Sequence, residues 1–180
     1  MARRYDPDRR QRIVDAAIRV VSEHGIDGLS HRSVAAAADV PLGSTTYHFA
    51  TLDDLLIAAL RQVNSDPASF LASWEHYLES GQSLVDGLVR LLEDCAATDD
   101  RSHVRLEYDL YLAALRRDRL QPIAAACLDE MVELLARYTK DDATARTLVA
   151  LIDGLLLQLL LTGRPFDRAE VRAALARVVG

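Results

Sequence analysis

Residues 30–49 read SHRSVAAAADVPLGSTTYHF, and the spacing of small, apolar and turn-forming residues in them predicts two short helices with a tight joint. Ser30 is placed to cap the first, which runs to about Ala38. Asp39, Val40 and Pro41 break the period, and a second short helix follows from about Leu42 to Phe49. This is the outline of a helix-turn-helix. The Ala-rich positions 35 to 38 let the first helix pack tightly on the second, and Gly43 keeps the start of the second slim, so that its backbone N–H groups can face a phosphate. Along the second helix stand Ser44, Thr45, Thr46, Tyr47 and His48. Small hydroxyls beside a phenol and an imidazole suit phosphates and base edges. A short amphipathic pair of this kind equally serves as scaffold, and these residues alone leave both readings open.

On either side the chain reads as helix throughout. Gly and Pro fall at the breaks of a 3.6-residue period, and no window sustains an alternation of period two. Asp6 and Pro7 are placed to open a first helix, Gly25 to stop it after His24, and Ile13, Ala17, Val20 and Val21 form its inner stripe. Asp15, Arg19 and Glu23 recur every four residues as an expected solvated ion-pair ladder. Thr51 with Asp54 signals the cap of a longer helix with the stripe Leu52, Leu55, Leu56, Ala59, Leu60 and Val63, ending at Asn64 and Ser65. Asp66 and Pro67 open the next, which Gly81 stops, and further helices are predicted at about 83–98, 102–117, 120–139, 142–162 and 168–179. The fold class is all-α.

Charge divides the chain. The formal net charge is −6, yet residues 1–50 carry seven Arg against six acids while residues 51–180 carry fourteen basic against twenty-one acidic groups. The total argues against a generic polyanion binder, whereas the first part is nearly neutral. Cys95 and Cys127 show no disulfide or zinc spacing, which suits a reducing cytoplasm. The N-terminal MARRYDPDRRQR lacks an apolar core, so no secretory signal is expected there. The longest apolar stretch, Thr147 to Thr162, is interrupted by Asp153 and Gln158 and falls short of the roughly 20 residues a bilayer span needs, so no membrane partner is expected. His24, His31, His48, His76 and His103 form no metal-binding pair, and there is no phosphate-cradling Gly loop or nucleophile elbow. No catalytic residue, metal or cofactor is expected.

Residues of about 9–56 resemble the DNA-binding domain of TetR/AcrR-family transcriptional regulators. The resemblance rests on His24-Gly25, Gly28-Leu29-Ser30, Val34-Ala35, Val40-Pro41-Leu42-Gly43-Ser44, Tyr47-His48-Phe49 and Thr51-Leu52-Asp53-Asp54-Leu55, in order and at family spacing. It implies an N-terminal three-helix helix-turn-helix domain, residues 1–52, followed by a helical effector-binding and dimerisation domain, residues 53–180. It also implies a homodimer whose recognition helices, Leu42 to His48, enter major grooves of a pseudo-palindromic double-stranded operator. By the same resemblance Arg32, Gly43, Ser44, Thr45, Thr46, Tyr47 and His48 fall at DNA-contacting positions, and Thr51 both caps its helix and offers a hydroxyl to phosphate. Arg3 and Arg4 form either an arm on DNA or a solvated basic terminus. Three positions depart from the family pattern: Asp39 stands where Gly is frequent, Thr46 where Tyr is, and Leu52 where Lys is. The last two remove phosphate contacts, so weaker and less salt-sensitive DNA binding is expected than from a lysine-rich relative.

In the second part, Trp74, Tyr77, Glu107, Tyr108, Tyr111, Cys127 and Met131 are candidates for an effector pocket, with ordinary core packing as the other reading. The segment from Leu148 to Leu161 is apolar almost all round, so it must be covered all round, and one chain of this size covers about half of it. A second copy would cover the rest, with Leu128, Leu135, Asp153, Gly154, Leu157, Gln158 and Leu161 as interface candidates. Asp153 is read as a polar lock in that interface or as an anchor for a cationic effector, and Gly154 beside it favours the interface. The expected activity is a repressor released when a small-molecule effector tilts the helix from Leu52 to Val63. The competing expectation is an adaptor that keeps the helix-turn-helix only as scaffold.

Overall fold

A computed structural model describes residues 8–65, 70–80, 83–97 and 101–180. Among them all regular structure is helical: α1 Arg9–His24, a 3-10 turn Ile26–Gly28, α2 His31–Ala37, α3 Leu42–His48, α4 Leu52–Ser65, α5 Phe70–Ser80 and α6 Leu84–Ala96. There follow α7 Arg101–Ala113, a 3-10 turn Ala114–Arg116, α8 Gln121–Ala136, α9 Asp142–Thr162 and α10 Arg168–Val179. The openings assigned to Asp6 with Pro7 and to Asp66 with Pro67, and the stop at Gly81, lie outside the described residues.

The chain forms two compact units. One holds the residues up to Val63 together with Leu106–Ile123; the other holds Asn64–Arg105 with Ala124–Gly180. The partition falls inside α4, α7 and α8 rather than in a linker.

In the first unit α1 turns Ile13, Val14, Ala16, Ala17, Val20 and Val21 inward, while α4 buries Leu55, Leu56, Ala59, Leu60 and Val63. Burial of a Leu or Ile side chain contributes about 1.5–3 kcal/mol, so both stripes add to the unit's stability. The expected ladder of Asp15, Arg19 and Glu23 is replaced by contacts between helices. Asp15 Oδ1 accepts from Gln11 at 2.8 Å and from Gln62 of α4 at 2.7 Å, and Arg19 donates to the Ala37 carbonyl at the end of α2, 3.0 Å away. Long side chains on α1 thus reach polar groups of the neighbouring helices.

In the second unit α6 packs on α5, α9 and α10. Gly87 permits the α5 contact, since a Cβ there would stand 2.6 Å from the Tyr77 carbonyl oxygen. Tyr77 donates to Asp94, and Arg168 and Arg172 of α10 pair with Glu93 and Asp86 of α6. Arg172 and then the Ser83 hydroxyl hold the Asp86 carboxyl below its usual range. α9 is capped by Asp141, which accepts from the Thr144 N–H at 2.7 Å, and stopped by Gly163 at φ 63°. Its 21 residues correct the expectation that this stretch is too short for a bilayer: α9 meets that measure by length and composition, because the helix begins five residues before Thr147. It is nevertheless a packed helix, with Ala145, Leu148, Val149, Ile152, Leu156 and Leu159 buried in its own chain.

Candidate nucleic-acid interface

Local interactions fix the helix-turn-helix. Ser30 accepts from the Ser33 N–H at 3.0 Å while Ser33 Oγ accepts from the Ser30 N–H at 2.9 Å, so two amides at the start of α2 are satisfied reciprocally. At the turn Asp39 adopts φ 51°, and the Val40 N–H reaches back to the Ala35 carbonyl at 3.0 Å. An Asp is among the few side chains that tolerate this left-handed backbone, which is how the turn survives without glycine.

The α3 helix has an occupied inner face. Ser44 is 4% exposed and Thr45 fully buried, and the Thr45 hydroxyl donates to the Leu42 carbonyl at 2.7 Å. The family resemblance implies DNA contact for both; the structure turns their side chains inward, because with α1 and α2 on one side of α3 only residues a turn apart remain outside. Outside are Leu42, Gly43, Thr46 and Tyr47, the last 84% exposed, with the half-buried His48 edge-on to the Tyr47 ring at 5.2 Å. Gly43 has open space around its Cβ position. Arg32 is exposed on α2. Arg3 and Arg4 lie outside the described residues.

Below α3 the chain turns through Phe49, Ala50 and Thr51. Phe49 is buried, and the Arg10 guanidinium lies 5.0 Å from the centre of its ring. Thr51 Oγ1 accepts from the Asp54 N–H at 3.1 Å and donates to Asp54 Oδ2 at 2.8 Å, and that carboxylate also accepts from the Thr51 N–H at 3.0 Å. Two residues distant in sequence join this cap: Arg119 bonds Thr51 Oγ1 at 3.0 Å and Asp54 Oδ1 at 2.6 Å, and Arg117 pairs with Asp53 at 2.5 Å. The Thr51 hydroxyl, then Arg119, hold the Asp54 carboxyl below its usual range. Sequence reasoning missed both arginines. Their signal was present as the basic run Arg116, Arg117 and Arg119 inside the acidic part of the chain.

The effector candidates do not share one unit. Trp74, Cys127 and Met131 are buried and Tyr77 is half-buried in the second unit, whereas buried Glu107 and half-buried Tyr108 and Tyr111 belong to the first. Among the interface candidates, Leu135 is fully buried in its own chain and so faces no partner: it lies on the α8 stripe with Met131 and Leu134. Leu128 and Gln158 are exposed, Asp153, Gly154 and Leu157 half-buried, and Leu161 is 82% exposed.

Two family models match this chain: bacterial regulatory proteins of the tetR family over residues 13–59, and the tetracyclin repressor-like C-terminal domain over residues 80–180. The chain belongs to the TetR family. It is 31% identical to the HTH-type transcriptional regulator BetI of Burkholderia cenocepacia, over 92% of this chain and 90% of that protein. With the HTH-type transcriptional regulator PksA of Bacillus subtilis it shares 27% identity over 85% of this chain and 79% of that one. Among solved structures, the multidrug binding protein EbrR complexed with ethidium superposes with a TM-score of 0.86 at 53% identity, covering 97% of this chain and 100% of that one. EbrR has also been solved with proflavin and with malachite green. This TetR-family chain is therefore a DNA-binding transcriptional regulator, of a family that is not enzymatic, and its helix-turn-helix is α2 and α3.

Proposed function

We propose that this regulator is a ligand-responsive repressor that binds a pseudo-palindromic operator as a homodimer and is released by a small-molecule effector. The observation that carries the reading is the outer face of α3. Its inner residues Ser44 and Thr45 are packed within the chain while Tyr47 is 84% exposed, so Thr46, Tyr47 and the half-buried His48 are available to bases and phosphates, with Arg32 exposed on α2. Residues 1–52 are the reading head in this scheme and residues 53–180 the sensing and dimerising part, working in the cytoplasm. The outward side of α9, with Gly154, Leu157, Gln158 and Leu161, is covered by a second copy, since a third of the helix's most apolar window is buried within one chain.

EbrR, which shares half or more of its residues with this chain, supports an aromatic, delocalised cation as the effector class, since ethidium, proflavin and malachite green all have that chemistry. Within the first unit Tyr108 and Tyr111 offer aromatic faces and Glu107 a buried carboxylate suited to such a cation. Binding energy must differ between the free and operator-bound arrangements for release to follow, and α4 is the helix proposed to carry that difference.

Selection of the full chain against random duplex DNA tests the first half: a symmetric motif is expected, and a protein that enriches no sequence is an adaptor instead. For the second half, malachite green is added to the protein and to the selected duplex, with dye and duplex alone as the control. A dye that raises the unfolding temperature is expected to weaken operator binding, and bound operator to weaken dye binding by the same factor; stabilisation with unchanged operator affinity rules out the release scheme.

A further inference from the structure

We propose that Arg119, carried on the segment between α7 and α8, is a DNA-backbone ligand of this regulator, placed at the joint of α3 and α4. The inference rests on the reading of α3 as the groove-entering helix. A Thr hydroxyl has one proton and two lone pairs. At Thr51 the proton goes to Asp54 Oδ2 and the lone pairs accept from the Asp54 N–H and from Arg119, so Thr51 has no donor left for a phosphate unless its cap opens. Arg119 is in the opposite position. Two of its five N–H donors are engaged, on Thr51 and Asp54, and the side chain remains 54% exposed. A planar fork with donors to spare is the group best shaped for a phosphate.

Position along the chain agrees. Tyr47 and Thr51 are four residues apart, a span of at most about 14 Å, and the major groove is about 12 Å wide. With Tyr47 in the groove, Thr51 and the guanidinium bonded to it lie within about one groove width of that ring, the range in which the phosphates of the groove wall stand. Charge agrees as well. Asp53 and Asp54 would repel a phosphate strand at this joint, and Arg117 and Arg119 pair with them one for one. Arg10 above Phe49 sets a further cation beside the same three-residue joint. The half-exposed pair between Arg119 and Asp54 is of the weakly held kind, so the guanidinium can share a phosphate without leaving its place.

The experiment uses the full chain and the duplex recovered by selection, with affinity measured between about 50 and 200 mM salt. Arg119→Gln keeps a donor for the cap and removes the charge; it is expected to bind about tenfold more weakly at low salt and to lower the slope of log affinity against log salt by about one. Arg119→Lys retains the slope. Asp54→Asn, which removes the competing carboxylate, tightens the complex. If Arg119→Gln leaves the slope unchanged, the proposal is wrong whether or not affinity falls, because a fall alone means Arg119 only braces α4. A wild-type protein that recovers no symmetric motif overturns the function as well; a wild-type protein that does, with an unaffected Arg119→Gln, overturns this inference alone.

Discussion

Thr51 shows how much one side chain settles. Its hydroxyl closes the cap of α4 with Asp54 and receives Arg119, so the first turn of the helix, the end of the recognition segment and a distant loop meet at one oxygen. Thr51→Ala should lower stability by about 1 kcal/mol in urea unfolding, with Thr51→Ser close to wild type. The Asp54 carboxyl is held below the ordinary carboxylate range, first by Thr51 and then by Arg119. A carboxyl depressed in the folded state contributes stability above its unfolded pKa and loses it as pH falls through the folded one. The cap is therefore complete above the ordinary carboxylate range and opens as pH falls through the lower folded-state value. An NMR titration of Asp54 should find its midpoint below that of an unfolded peptide, moved upward more by Thr51→Ala than by Arg119→Ala. The cap was legible in the sequence, because Thr51 and Asp54 are three residues apart. Arg119 was not: it lies 68 positions from Thr51 and no local pattern points to it.

At the scale of elements, caps and breaks placed most helices closely. Ser30, Thr51 and Ser83 each stand immediately before a helix, and α9 and α10 span the residues expected of them. The faces were harder to read. α3 has seven residues and three adjacent hydroxyls, Ser44, Thr45 and Thr46, so composition gave no contrast between inside and outside; packing on α1 and α2 put the first two in and left the third out. Gly87 makes the same point for α5 and α6, where the need for a glycine appears only once the two backbones are seen to touch. Gly87→Ala should destabilise the protein by about 1–3 kcal/mol in denaturant unfolding, since the opposing atom is a backbone carbonyl. Gly43→Ala, with open space around it, should cause no such loss.

Across the whole molecule the net charge of −6 conceals a nearly neutral first fifty residues, and the structure adds that Arg117 and Arg119, which the sum assigns to the acidic part, lie in the first compact unit. The operator salt slope should stay well below that of a protein with ten phosphate contacts, and a slope near −9 would contradict it. The incompletely covered α9 gives a second expectation. Sedimentation at micromolar concentration should show a dimer for the wild type and a monomer for Leu157→Arg with Leu161→Arg, the latter residue being largely exposed in one chain and its loss therefore harmless to the monomer's own packing.

The sequence by itself determined the helical class, the boundaries of most elements and the helix-turn-helix, because caps, turns and periodicity are interactions among residues a few positions apart. Only the tertiary structure decided which side of α3 faces out, that Leu135 is core, and that a loop beyond residue 113 supplies cations to the start of α4. Those outcomes depend on contacts between segments far apart in the chain, and such contacts exist only after the chain has folded.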